Sequence, residues 1–489
     1  LRNKLHVTTP RLPQLYGLPK IHKPGNKMRP IVSNICSPTV KMSKYLVDKL
    51  KNLHQPEGYY VKNTYEFVEK IKNVVLHPGE VLVSFDVVSL YPSVPVPETL
   101  KLFEEWLDKQ KISNIERILY IKIAKLSMQQ NYFTFNNKYY QQTSGTSMGN
   151  PLSPFLANLF MCNFETNLKL KNLLPRVWFR YLDDIFCILL ENEIEVFLEK
   201  LNSFYQHLQF TVEIEKQGVL PFLDVKVIRN GDLVEFDIYR KETSTIRYIT
   251  NTSTCLPQHK YSSINAMIHR MLHIPLTEDR FKVEFELIKT IAAANGFKEK
   301  IVDNIFYRMK NKKRLAELTT LTPEQKNKTT RWASFTYIPH INNQLTKVMR
   351  KIGINVTGKS DCHLQKMLGS TKQKIDDLKK SGIYEVECEV CSSKYIGQTI
   401  REVQIRFNEH QALARKKKIG ISSVADHFIN GVNHGSKPRF KVKLVKEVVG
   451  KRKLDLYESI FIGRNFKDPT KNMNAEMGSI KTVLTDSAI

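Results

Sequence analysis

The sequence predicts an α+β chain of several domains. Three observations lead there. At 489 residues the chain exceeds the size at which one hydrophobic core keeps growing, so two or three domains are expected. Strand-like and helix-like segments alternate around Gly and Pro up to about residue 245, and the stretch that follows turns helical. A polar, Lys-rich connection near 370–380 then precedes a new strand at Gly382, so the last hundred residues read as a separate small α/β unit.

Charge narrows the classes of partner. Lys and Arg outnumber Asp and Glu by 75 to 48, a formal +27, which favours polyanions and salt-sensitive binding to phosphate backbones. The basic residues are spread along the chain without an amphipathic anchor, and no apolar run approaches the ~18 residues of a membrane span. No membrane role is therefore expected. Seven cysteines are scattered, with only Cys388 and Cys391 close together, as in a reducing compartment where such a pair binds metal. No signal peptide, internal repeat or low-complexity tract is visible, and because the chain starts at Leu1 rather than Met an upstream piece is expected.

The elements that carry chemistry follow in order. "EVLVSFDVVSLYPSV" (80–94) reads as a buried strand running into a turn, with Asp86 where the strand reaches an open edge. "NPLSPFLANLFMCNFETNLK" (150–169) has helical spacing after Pro151 and Pro154. "VWFRYLDDIFCILL" (177–190) reads as a hairpin broken at Leu182 to Asp184. Two adjacent carboxylates in an apolar run need water or a compensating cation. With Asp86 facing Asp183 and Asp184, three oxygen donors can hold two Mg²⁺ ions for in-line phosphoryl displacement. Asp183 is expected to pair with Asp86, and Asp184 to be the weaker ligand.

Order and spacing of these pieces carry a resemblance. "FD" with a Tyr five residues on, then "GTSMGNPLSP", then "RYLDD" resembles the reverse transcriptases over roughly the first 340 residues. The resemblance implies a right-hand polymerase: fingers and palm over 1–245 with an antiparallel palm sheet, a helical thumb over 246–345 and a basic linker over 346–380. In "YGLPKIHKPGNKMRPIVS" (16–33), Lys23 and Arg29 match the cations that grip the incoming triphosphate. Tyr91 stands at the steric gate that favours deoxynucleotides. Gly149 and Pro151 lie where the family wraps template and nucleotide, with Met148 where many relatives carry Gln. "LPFLDVKV" (220–227) resembles the hairpin that holds the primer end, and Asp224 within it is read as structural.

"SGIYEVECEVCSSKYIGQTIREVQIRFNEH" (381–410) resembles the GIY-YIG endonucleases, the likeness covering about residues 381–478 within a 381–489 domain. It implies an active site of Tyr384, Tyr395, Arg406, Glu458 and Asn474, in which Glu458 holds one Mg²⁺; His410 is either a neighbour of that site or a polar helix residue. The Cys388-x2-Cys391 spacing suits a structural Zn²⁺, with His427 and His434 as the remaining ligands chosen; the six residues between the histidines exceed ordinary finger spacing.

A reverse transcriptase followed by a GIY-YIG unit with an embedded Cys pair resembles the Penelope-like retroelement proteins, as do "IYRKETSTIRYI" (238–249) and "GSTKQKIDDLKKSGIYEVECEVC" (369–391). That resemblance implies nicking of target DNA and copying of an RNA template from the DNA primer so made, with dNTPs as substrates and the nucleus as location. The alternative is a telomerase-like or domesticated reverse transcriptase with an inactive nuclease domain. Residues 301–350, with ten Lys/Arg against three Asp/Glu, are the candidate grip on template–primer duplex.

Overall fold

Apolar runs between the Gly and Pro punctuation become strands in the order in which they occur. The computed structural model describes residues 5–7, 10–21, 27–318, 331–338, 341–359, 376–430, 439–448, 450–465 and 471–474. Strands β1 (Gln14–Pro19) and β2 (Met28–Ser33) form an antiparallel hairpin. β3 (Glu80–Val87) carries Asp86. β4 (Tyr132–Phe135) and β5 (Lys138–Gln141) extend the first hairpin into a sheet of order β2-β1-β4-β5. β6 (Val177–Tyr181), β7 (Asp184–Leu190) and β8 (Phe210–Ile214) join β3 in an antiparallel sheet of order β6-β7-β3-β8.

That second sheet is buried on both faces, which explains why its strands read as nearly unbroken apolar runs. Val83, Phe85, Val87, Ile185 and Cys187 pack against the Ser153–Leu170 and Ile194–Phe204 helices through Phe160, Phe164, Phe197 and Leu201. Leu82, Val177, Phe186 and Ile188 face the other way. They meet Phe67 of the Thr64–Ile71 helix and the three-stranded sheet of β9 (Val219–Phe222), β10 (Val225–Asn230) and β11 (Leu233–Ile238). With both faces closed to water, a carboxylate on these strands is accommodated only at their ends.

Helices Ser262–His273, Glu278–Ala294 and Glu299–Leu318 follow, packing Ile268, Ile288 and Val302 into the same core. Among the described residues no helix is long and apolar enough to cross a membrane. The stretch from 331 to 359, expected as the end of a helical thumb and a linker, instead forms β12 (Arg331–Thr336), a helix at Ile341–Lys351 and β13 (Ile354–Lys359), the two strands parallel. β-branched and aromatic residues in "RWASFT" and "INVT" outweigh the basic composition that suggested a helix and linker.

The C-terminal residues form a small sheet of their own. β14 (Gly382–Cys388), β15 (Lys394–Thr399) and β16 (Phe440–Glu447) are antiparallel in the order β15-β14-β16. Ile383 and Ile396 pack with Leu454 and Ile462 of the Lys451–Asn465 helix. Tyr384 and Val386 pack with Val403 and Phe407 of the Val403–Arg415 helix.

Candidate active sites

The hairpin of β6 and β7 turns at Leu182 and Asp183, with Tyr181 opposite Asp184. Leu182 takes a left-handed φ of 57° to close it. In the register of β3 and β7, Asp86 lies directly opposite Asp184, and the carbonyl of Asp183 accepts the Val87 N–H at 3.0 Å. Cross-strand partners share one face of a sheet. The structure therefore sets Asp184, not Asp183, across from Asp86, with Asp183 at the solvent-exposed tip. Asp86 and Asp184 are half-buried. Three oxygen donors at the open end of a sheet suit a hard divalent cation such as Mg²⁺.

Tyr91 is half-buried in the turn after β3; burial, and then the neighbouring Asp183 carboxylate, push its phenol above the usual range. Its carbonyl accepts the Thr146 N–H at 2.7 Å, which fastens the "GTSMGNP" loop beside the carboxylates. Two glycines permit that fit. A Cβ on Gly145 would stand 2.2 Å from the Pro92 carbonyl, and one on Gly149 would stand 2.2 Å from the Val32 carbonyl; both have positive φ. The Val32 N–H donates to the Met148 carbonyl at 2.9 Å, so the loop is tied to β2, which carries the exposed Arg29. Pro151 lies in the turn that leads into the Ser153–Leu170 helix. Lys23 lies outside the described residues. Asp224 pairs with Arg270 at 3.4 Å and accepts from Thr64 Oγ1 at 3.3 Å, fastening the β9–β10 turn to two helices.

In the C-terminal unit, Tyr384 opposes Gly397 across β14 and β15, and a Cβ there would collide with both Tyr384 and Tyr395. The two rings lie 6.3 Å apart, and Tyr395 meets the His410 ring edge-on at 5.7 Å. Tyr384 Oη is 2.8 Å from His410 Nε2, and His410 Nδ1 is 2.6 Å from Ser422 Oγ. Burial raises the Tyr384 and Tyr395 phenols and lowers His410 to about 4. Arg406 interacts with Tyr384 and pairs with Glu409 at 2.9 Å. Glu458 accepts from Gln398 Nε2 at 2.8 Å; burial, reinforced by Asp455, pushes its carboxyl up to about 7. Asn474 is bonded to both backbone groups of Ile396, at 2.9 and 2.7 Å, so it braces the Tyr395 strand. Gln398 and Ser422 went unrecognised in the sequence; the signal for Gln398 was the Asp455 and Glu458 pair one helical turn apart that it bridges.

Beside this cluster, ligand atoms of Cys388, Cys391 and His427 lie within 4.8 Å of one another, with Cys391 Sγ 3.5 Å from His427 Nε2. Two thiols and an imidazole in this arrangement suit a tetrahedral Zn²⁺. His434 lies outside the described residues.

Residues 21–249 match the family model "Reverse transcriptase (RNA-dependent DNA polymerase)". The chain thus contains a reverse transcriptase domain, and the palm sheet and its carboxylates fall within it. Residues 247–307 match the model "Animal helix-turn-helix domain", covering helices that the sequence placed in a thumb. The chain is also similar to telomerase from Candida albicans solved with a TWJ fragment of telomeric RNA. There the identity is 11%, with 61% of this chain and 59% of that one covered and a TM-score of 0.43. For apo telomerase from Candida tropicalis the identity is 12%, coverage 57% and 56%, and TM-score 0.36. For the Sicinivirus 3Dpol RNA-dependent RNA polymerase the values are 12%, 62% and 68%, and 0.38. The chain spans less than two thirds of either telomerase. No curated protein matches it.

Proposed function

We propose that this chain is the enzyme of a Penelope-like retroelement, which nicks target DNA and copies an RNA template into DNA from the exposed 3′-hydroxyl. The observation that carries the copying half is the register that sets Asp184 opposite Asp86 at the open end of the palm sheet, with Asp183 next in the turn and Tyr91 near it. Mg²⁺ bound there would offset charge on the attacking and leaving oxygens. Arg29 and Lys23 orient the triphosphate of the incoming dNTP, and the Tyr91 ring excludes a 2′-hydroxyl. The exposed Arg308, Lys310, Lys312 and Arg314 of the Glu299–Leu318 helix grip template and primer through their backbones.

The nuclease half is supported by the gathering of Tyr384, Tyr395, Arg406 and Glu458. Tyr384 positions the attacking water, Arg406 offsets charge on the phosphodiester, and Glu458 is the ligand for one Mg²⁺. Cys388, Cys391, His427 and His434 hold a structural Zn²⁺ that fastens a unit with two small cores. Such an element acts on chromosomal DNA in the nucleus.

The test supplies RNA template, DNA primer, dNTPs and Mg²⁺ to the intact chain and to Asp183→Ala. Extension by the parent alone supports the copying reading, and equal signal from both rejects it. Plasmid nicking lost in Glu458→Ala, with extension retained, supports the coupled nuclease; nicking that survives the substitution removes it.

A further inference from the structure

Behind the catalytic turn sits an ion pair that no role described so far explains. Arg180, on β6, and Glu165, on the Ser153–Leu170 helix, have side chains 1% and 0% exposed. The guanidinium meets the carboxylate as a fork, Nε to Oε1 at 2.5 Å and Nη2 to Oε2 at 3.3 Å. Trp178 Nε1 and the Tyr59 N–H donate to the same carboxylate at 3.2 and 3.1 Å. Gly58 lies against it so closely that a Cβ would stand 2.6 Å from Cys162 Sγ and 3.0 Å from Glu165 Oε2. The Arg180 backbone is also held on both sides, its N–H by the Tyr59 carbonyl and its carbonyl by the Val61 N–H.

A buried pair of this kind is weak as a source of stability, because well-packed apolar residues of similar volume usually serve as well. What apolar residues cannot reproduce is the outward-facing nitrogen. Arg180 Nη1 donates to Asn158 Oδ1 at 3.1 Å and to the carbonyl of Leu182 at 3.4 Å. Leu182 is the left-handed residue of the turn, a conformation that a residue with a branched side chain adopts only when its surroundings hold it. Its carbonyl belongs to the peptide that leads directly into Asp183.

We infer that Arg180, clamped by Glu165, is a positioning residue for nucleotidyl transfer: it fixes the Leu182–Asp183 turn so that Asp183 and Asp184 stay in place around Asp86. The inference rests on the copying reading proposed above. Only a fork-shaped cation serves, since Glu165 occupies one side of the guanidinium while another nitrogen reaches the turn.

The test uses the full chain carrying Glu165→Leu with Arg180→Met, which removes both charges together and leaves neither buried alone. Asp183→Ala and Arg180→Lys are assayed beside it. Primer extension on RNA is followed against Mg²⁺ concentration, and thermal unfolding is recorded for each variant. The double variant leaves the Trp178 Nε1–H and Tyr59 N–H without their acceptor, so its unfolding midpoint should fall. Its kcat, measured well below that midpoint, should fall on the order of tenfold to a hundredfold. Its half-saturating Mg²⁺ concentration should rise, because the displaced groups are the metal's ligands. Arg180→Lys should fall between the two. A folded double variant with the parent's kcat and Mg²⁺ dependence overturns the inference. Should the double variant fail to fold, the same result from Arg180→Lys overturns it equally. An inert Asp183→Ala beside an unaffected Arg180 variant discards the positioning role alone, whereas an active Asp183→Ala discards the site itself and this inference with it.

Discussion

Replacing Gly149 by alanine adds one methyl group where the fingers strand meets the palm loop. The new Cβ would stand 2.2 Å from the Val32 carbonyl oxygen, whereas even tight Cβ contacts lie at 3.0–3.4 Å, so strand and loop must part by about 1 Å. The opposing atom belongs to the backbone and cannot rotate away. A φ of 125° adds strain on the order of 1–3 kcal/mol for any residue with a Cβ. The Val32 to Met148 hydrogen bond at 2.9 Å is then lost, at about 1 kcal/mol. These costs are modest for a domain with three packed clusters beneath it, so the variant should still fold, with a lowered unfolding midpoint. Catalysis should suffer more, because β2 carries Arg29, the proposed grip on the incoming nucleotide, and a misplacement of about 1 Å can cost on the order of a hundredfold. Steady-state incorporation on an RNA template measures it as a fall in kcat/KM for dNTP. Gly231→Ala is the control: it has a φ of 61° but nothing within 4 Å, so it carries strain without displacement. A Gly149→Ala enzyme with the parent's kcat/KM would refute the coupling of fingers strand to palm loop.

Three further predictions follow from the two sites. Tyr91→Ala should admit ribonucleotides, read as a fall in the ratio of dNTP to NTP incorporation; unchanged selectivity removes the gate from Tyr91. Purified chain should carry one zinc per molecule by elemental analysis, and Cys391→Ser should lose it; equal zinc in both would dismiss the Cys388, Cys391 and His427 cluster as its holder. His410 falls to about 4 in the folded chain through burial and then the nearby Arg406 charge, against an ordinary 6.5. Below pH 6.5 the unfolded chain takes up a proton that the folded chain refuses, so stability falls from pH 6.5 toward 4, by on the order of 3 kcal/mol in all. His410→Gln should flatten that limb of denaturant midpoint against pH, and an unaltered slope would contradict the burial of His410.

The palm was legible because its strands are apolar on both faces, so the carboxylates of Asp86, Asp183 and Asp184 stood out against their neighbours. Their pairing was less legible. The turn takes up both Leu182 and Asp183, and this brings Asp184 rather than Asp183 into register with Asp86. Arg180 shares the apolar run that made the aspartates conspicuous, but one arginine in a strand reads as solvent-facing until its partner, on a helix that precedes it, is seen. In the C-terminal unit Tyr384 lies beside Tyr395 and Arg406, while Ser422 and Gln398 act through contacts that sequence proximity does not reveal. The strands of 331–359 were hidden by Lys and Arg, which shift composition toward a linker without altering the alternation of the residues between them.

The central claim is that Asp86 and the Asp183–Asp184 turn form one centre for RNA-templated DNA synthesis. Its most direct measurement is the single-turnover rate of adding one dNTP to a DNA primer on RNA, at saturating Mg²⁺, by the parent and by the nearly isosteric Asp86→Asn. A fall on the order of a thousandfold, with template–primer affinity unchanged, is the expected result. An Asp86→Asn enzyme that adds the nucleotide as fast as the parent would mean that the chemistry happens elsewhere.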